Sequence, residues 1–176
     1  MWLAARAGYA GRKRAAARPM QGVVLQVNTS PGGIPKRPVP AASLTVFGLE
    51  GDACAHPGIH GGSDKAVLIV CAEAVESLIA RGYPVFYGAL GENLTTRGLD
   101  PCFLRAGQRY RVGSEAVIEL TKVRRPCATL DVYGPSIKSE IFDSSQRWSL
   151  SGFYARVLQP GLIRPGDPML LLDELA

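Results

Sequence analysis

Apolar and polar positions along this chain alternate in short runs rather than in long helical stripes. Residues Gly22 to Asn28 (GVVLQVN) are rich in valine and read as a first strand. Ser43 to Phe47 reads as a second, short one. Ala66 to Ala72 (AVLIVCA) holds no polar residue, so both faces of that strand are expected to be covered. Directly after it, Glu73 to Arg81 carries Val75, Leu78 and Ile79 at helical spacing and meets Gly82 as a stop, which predicts a helix. Gly91 to Thr96 reads as a strand entered through a glycine. Gln108 to Val112 and Glu115 to Val123 read as a hairpin turning at Gly113-Ser114. In the second arm Ala116, Ile118 and Leu120 share one face, and Val117, Glu119 and Thr121 the other. Cys127 to Tyr133 can start a short helix, with Pro126 suited to its first turn. Lys138 to Trp148 is only weakly helical. Gly152 to Leu158 and Met169 to Leu172 read as strands, with turns at 159–161 and 164–167.

Many short strands, one clear helix and no βαβ alternation predict a mainly β fold: a β-barrel of mostly antiparallel strands with a few short helices at the rim. The 20 glycines and 13 prolines agree with a turn-rich chain. At 176 residues one domain is expected, spanning 20–176. Residues 1–19 are read as a basic leader outside that fold. They hold Arg6, Arg12, Lys13, Arg14 and Arg18 and no acid, which accounts for the whole net charge of +5. The remainder is neutral overall, so charge gives no argument for nucleic acid. No apolar run is long enough for a membrane helix. The four cysteines, Cys54, Cys71, Cys102 and Cys127, include no CxxC pair. They are read as reduced thiols of a cytoplasmic protein.

Candidate chemistry gathers in three places. The stretch Gly48 to Val67 contains both histidines and feeds straight into the most apolar strand. Within it His60-Gly61-Gly62-Ser63-Asp64-Lys65 offers bare backbone and a lysine, which suits a phosphate or another oxyanion, or else simply forms a tight turn. His56 and His60 allow a two-His metal site, but no third ligand stands at a telling distance. Cys127 follows Arg124, Arg125 and Pro126. Neighbouring cations and a helix start both stabilise a thiolate, a nucleophile and a soft metal ligand. The plainer reading is a half-buried structural cysteine. Glu92 and Asn93 sit between a glycine and a strand, where they either line a pocket or serve as turn residues. Lys36 and Arg37 read as solvated loop charges, with anion gatekeepers as the alternative.

Four motifs in this order, GLEGD, HGGSDKAV, GALGENLTT and RAGQRYRVGSEAVIELTKVRRPC, resemble the MOSC domain, the family of molybdenum-cofactor sulfurase C-terminal domains and their small stand-alone bacterial relatives. The resemblance implies a MOSC-type β-barrel that binds molybdenum cofactor, a molybdenum ion held by the dithiolene of a phosphorylated pterin (molybdopterin). By position it makes Cys127 the molybdenum ligand or sulfur carrier. It assigns His60, Gly61, Gly62, Asp64, Lys65, Asn93, Arg124 and Arg125 to cofactor binding. Glu92 or Asp52 would handle protons. The implied activity is oxidoreductase chemistry on N-hydroxylated small molecules, with electrons from a separate reductase. The alternative is a non-redox sulfur or cofactor carrier using a Cys127 persulfide and a sulfur donor. Either way Lys65 and Cys127 are expected to meet at one barrel mouth.

Overall fold

The computed structural model describes residues 21–54, 58, 61–145 and 149–173. The proposed leader 1–19, and both His56 and His60, lie outside these. Eleven strands appear among the described residues: β1 (Gln21–Thr29), β2 (Arg37–Val39), β3 (Ala42–Thr45), β4 (Gly48–Leu49), β5 (Val67–Cys71), β6 (Leu94–Arg97), β7 (Arg109–Val112), β8 (Ala116–Val123), β9 (Phe153–Gln159), β10 (Gly161–Ile163) and β11 (Pro168–Asp173). Helix α1 spans Ala72–Ile79 and α2 spans Ile137–Ile141.

The main sheet runs β11-β7-β8-β9-β5-β6-β1-β2 and closes on itself where β11 pairs with β1. The result is a seven-stranded barrel with β2 hung on its edge. Register shifts in the β1–β6, β11–β7 and β8–β9 pairings mark irregularities of the bulge type, which bend strands around a closed wall. The alternation read from β8 holds: Ala116, Ile118 and Leu120 are buried in the barrel with Val24, Tyr110 and Phe153. Outside, Glu119 takes ionic hydrogen bonds from Arg109 and Arg156 on the flanking strands. A second sheet, β10-β3-β4, covers part of the barrel.

Strand β5 explains its own composition. Val67, Ile69 and Cys71 point into the barrel core, and Leu68 and Val70 point out into a second cluster with Val75 and Leu78 of α1. A strand covered on both sides has no place for a polar residue. Helix α1 starts directly after β5 and leads to β6, which pairs with β5 in parallel. Against the expectation of no βαβ alternation, β5, α1 and β6 form such a unit, the one found among the described residues. Strands β2, β4 and β10 were not legible; they are two or three residues long, and β2 carries Pro38 on an outer strand. The segment after Cys127 forms a 3₁₀ helix, Ala128–Tyr133.

Candidate functional site

Where β5 and β9 pair, Leu68 and Tyr154 stand opposite each other, and both face outward from the barrel. They form the floor of a pocket of about 200 Å³. Its walls come from residues far apart in sequence, among them Lys36, Asp52, Lys65, Asn93, Arg124 and Cys127. The expectation of a barrel mouth is therefore corrected: the pocket lies against the barrel's outer face. The reason is β5, whose outward side chains are as apolar as its inward ones and so leave a second dry surface to build on.

Lys65 and Cys127 both line this pocket, as do Asp52, Gly61, Gly62, Asn93 and Arg124. Cys127 follows the end of β8 and precedes the 3₁₀ helix, whose Leu130 N–H donates to its carbonyl at 3.1 Å. Its Sγ lies 3.2 Å from Thr129 Oγ1. Partial burial pushes the thiol up. Hydrogen bonds from the Thr129 hydroxyl and backbone, together with the Arg124 charge, outweigh that and leave the thiol below its ordinary value.

Arg124 is only 5 % exposed. Its main chain is pinned by a bond from its N–H to the Gly152 carbonyl at 2.9 Å and by the Ser151 hydroxyl on its own carbonyl. The guanidinium shares a hydrogen bond with Tyr154, yet its buried Nε and Nη1 find no partner among the described residues. Burial lowers its pKa, against the opposing pull of Tyr154, Cys127 and Glu92. A buried cation with orphaned donors is costly unless an anion completes it. Lys65 lies over the Tyr154 ring at 5.9 Å from its centre, on the same floor. Gly62 has φ of 99°, which favours glycine, and a Cβ there would meet nothing within 4 Å. The backbone beside it is open to a ligand.

Glu92 and Asn93 behave differently from each other. Glu92 is fully buried and does not line the pocket. Its Oε1 accepts the Gly88 N–H at 2.6 Å and the Thr95 hydroxyl at 3.1 Å, while Oε2 has no partner among the described residues. Burial pushes its carboxyl above the usual range; the hydrogen bonds and Arg124 oppose this only in part. Asn93 instead joins pocket to scaffold: its side chain accepts the Leu68 N–H at 3.0 Å and donates to Asp52 Oδ2 at 2.8 Å. Asp52 also accepts the Ser30 N–H at 2.9 Å and pairs through both oxygens with Lys36. In this arrangement Asp52 braces three loops.

Lys36 is corrected from a solvated loop charge to a residue 8 % exposed, ion-paired at the pocket wall. Arg37, beside it, is exposed and lies over the Phe86 ring at 5.3 Å. Two of the expected cofactor-binding residues do not line the pocket. Asp64 faces Arg156 on β9 at 3.5 Å, and Arg125 is exposed. His60 lies outside the described residues. Tyr154 and Thr129 were missed; neither sits in a motif, and only the strand register of β9 and the turn after Cys127 bring them in. Among the described residues, no three His, Cys, Asp or Glu side chains form a group that could hold a metal ion by themselves.

What the arrangement offers is a soft sulfur whose thiol is held below its ordinary pKa, a buried cation with orphaned donors and an open glycine backbone. That donor set fits a phosphorylated, sulfur-bound metal cofactor. A family profile described as MOSC domain matches residues 56–170. The protein YflK of Bacillus subtilis is 37 % identical over 147 residues, 81 % of this chain and 64 % of its own length. YiiM of Escherichia coli is 33 % identical over 140 residues, 76 % of this chain and 60 % of its own. This chain thus spans less than two thirds of both curated relatives. The crystal structure of YiiM from Geobacillus stearothermophilus superposes with a TM-score of 0.69 at 28 % identity, covering 86 % of this chain and 75 % of that one.

Proposed function

The chain belongs to the MOSC domain family, and from that premise we propose that its flank pocket binds molybdenum cofactor and serves the reduction of N-hydroxylated small molecules. The observation that carries this reading is Arg124, whose buried Nε and Nη1 lack acceptors beside a thiol of lowered pKa. Cys127 would be the protein's ligand to molybdenum, because a thiolate is the soft donor such a metal takes. Arg124, Lys65 and the backbone of Gly61 and Gly62 would hold the anionic end of the pterin. When bound, the cofactor supplies the two-electron redox centre. The protein's part is to orient it and to keep the sulfur ionised. Glu92 lies behind the pocket wall, where its raised pKa suits holding a proton. Asp52 supports the wall through Lys36 and Asn93.

The described domain has no cysteine spacing for an iron–sulfur cluster, so electrons would come from a reductase outside it. No described helix is long and apolar enough to cross a membrane, and all four cysteines are free, which supports cytoplasmic residence.

The test is metal analysis of protein made in a molybdopterin-competent host, where about one molybdenum per chain is expected. Cys127→Ala should lose the metal and any hydroxylamine reductase activity. Absence of metal with an unaffected Cys127→Ala variant overturns the reading. The lowered pKa of a half-exposed Cys127 also suits a sulfur carrier. A Cys127 persulfide formed by a desulfurase, without substrate turnover, would favour that second reading.

A further inference from the structure

We infer that Phe47 is a specificity-determining residue of the pocket, an aromatic side chain mounted at its lip to stack on ligands with a flat conjugated face. The inference rests on the reading above in taking the pocket as a ligand site. It does not depend on which redox centre occupies it.

Phe47 is 91 % exposed, the most exposed large apolar side chain among the described residues, and it lines the pocket. Its position follows from the β3–β4 hairpin. Leu44 and Leu49 are cross-strand partners and both are buried, so the base of the hairpin is fixed in the core. The tip, Val46-Phe47, is tied from inside by one hydroxyl: Thr45 Oγ1 donates to the Gly48 carbonyl at 3.0 Å and accepts the Phe47 N–H at 3.2 Å. Gly48, at φ 119°, passes so close to the entry of β5 that a Cβ would lie 2.6 Å from the Ala66 carbonyl. The hairpin is therefore pressed against the segment that carries Lys65. A flexible tip would fold its phenyl ring onto the nearest apolar surface. Here the ring stays in water because the backbone that carries it is held.

A phenylalanine kept out of the core retains most of its hydrophobic driving force for whatever covers it. The pocket interior directs what that is. Its floor is Leu68 and Tyr154, with Leu90 and Ile34 alongside, and Arg124 brings to it two guanidinium nitrogens without a hydrogen-bond partner among the described residues. A ligand with an anionic or polar end toward Arg124 and a flat apolar body reaching the lip would meet the Phe47 ring face or edge. An aliphatic ligand of the same polar group would end short of it. Phe47 therefore discriminates by the shape of the ligand's body and leaves its reacting group alone.

The experiment measures binding of benzoate and of acetate to the full chain made in a host that lacks molybdopterin, where no cofactor engages Arg124, by NMR titration, in wild type, Phe47→Ala and Phe47→Trp. The two probes share a carboxylate for Arg124 and differ only in the ring. Wild type should prefer benzoate by roughly tenfold or more. Phe47→Ala should lose that preference with acetate affinity unchanged, and Phe47→Trp should keep it. Thermal unfolding of both variants should match wild type, since the side chain is 91 % exposed. A ratio that stays the same in Phe47→Ala overturns the inference. So does the pattern in which Phe47→Ala leaves the ratio intact but slows turnover with a protein electron donor, which would make Phe47 a partner contact. Loss of molybdenum binding would overturn the functional reading without moving the benzoate-to-acetate ratio, so the two can fail separately.

Discussion

Asn93 takes the place of a neighbouring strand at Leu68: its side-chain oxygen accepts the Leu68 N–H at 3.0 Å, and its own N–H donates to the Leu68 carbonyl at 2.8 Å. Both main-chain groups of the pocket-floor residue are thus satisfied by one asparagine. Its side-chain nitrogen donates to Asp52 Oδ2 at 2.8 Å and, more weakly, to the Asn28 carbonyl at 3.4 Å. Asn93→Ala would strand a buried N–H and loosen the Asp52 loop. It should lower stability by about 2–3 kcal/mol, read by urea unfolding. Asn93→Asp should be worse, because it sets a second carboxylate against Asp52. A variant within a few tenths of wild type would remove the brace from the account.

Lys36 and Asp52 form a largely buried ion pair. Removing one partner leaves the other charge uncompensated, and for such pairs the cost is about 3 kcal/mol. Lys36→Met should therefore destabilise strongly, whereas Lys36→Met combined with Asp52→Asn should recover much of the loss. Thermal or urea unfolding of the two single variants and the double variant gives the coupling directly. Additive losses would mean that the two residues act separately.

The Cys127 thiol is held below its ordinary value, so its reactive thiolate should persist to lower pH than in a free cysteine. The pH midpoint of its alkylation by iodoacetamide should fall below that of a free cysteine. Thr129→Val removes the hydroxyl bond to the sulfur and should shift the midpoint upward. Arg124→Met should also raise it by removing the charge. A wild-type midpoint at or above that of glutathione in the same assay would contradict the geometry.

Burial raises the Glu92 carboxyl above its unfolded value of about 4.3. Between the two values the folded chain binds more protons than the unfolded one. Stability should then fall as pH rises from about 4.3 through the folded value. Glu92→Gln, which mimics the protonated form, should remove that part of the pH dependence. Parallel stability–pH curves for wild type and Glu92→Gln would show that the carboxyl does not titrate differently in the fold.

Gly48→Ala tests how tightly the β3–β4 hairpin is pressed on β5. A methyl group at φ 119° is strained and would collide with the Ala66 carbonyl. A loss of about 1–3 kcal/mol is expected by urea unfolding. A neutral result would mean the hairpin can move away from β5.

Much of this architecture was legible because its polar and apolar positions obey strand geometry. The AVLIVCA run announced a strand covered on both faces, and the Ala116–Ile118–Leu120 alternation announced the barrel wall. Cys127 behind Arg124 was legible as a thiolate site because charge and turn chemistry are local in sequence. What escaped was set by register between distant segments. Lys36 looks solvated until Asp52, sixteen residues on, folds over it. Leu68 and Tyr154 cannot be recognised as a pocket floor, because every residue around Leu68 is equally apolar. The parallel pairing of β6 was hidden by its polar composition, Leu94-Thr95-Thr96-Arg97. Both threonines are buried: Thr95 bonds Asn28 and Glu92, while the Thr96 hydroxyl has no hydrogen-bond partner among the described residues. Asp64 lies in the signature loop yet serves its anchoring to β9, a distinction no motif spacing carries.

The barrel closes where β1 pairs with β11, with Gln21 opposite Leu170. Segments attached before β1 and after β11 consequently leave the domain from neighbouring points on one seam. A fused module on either side would share the same anchorage. The two ends could be joined by a short glycine-rich linker and the chain reopened at the exposed turn residues Ser114 and Glu115, between β7 and β8. The resulting circular permutant should keep the same barrel.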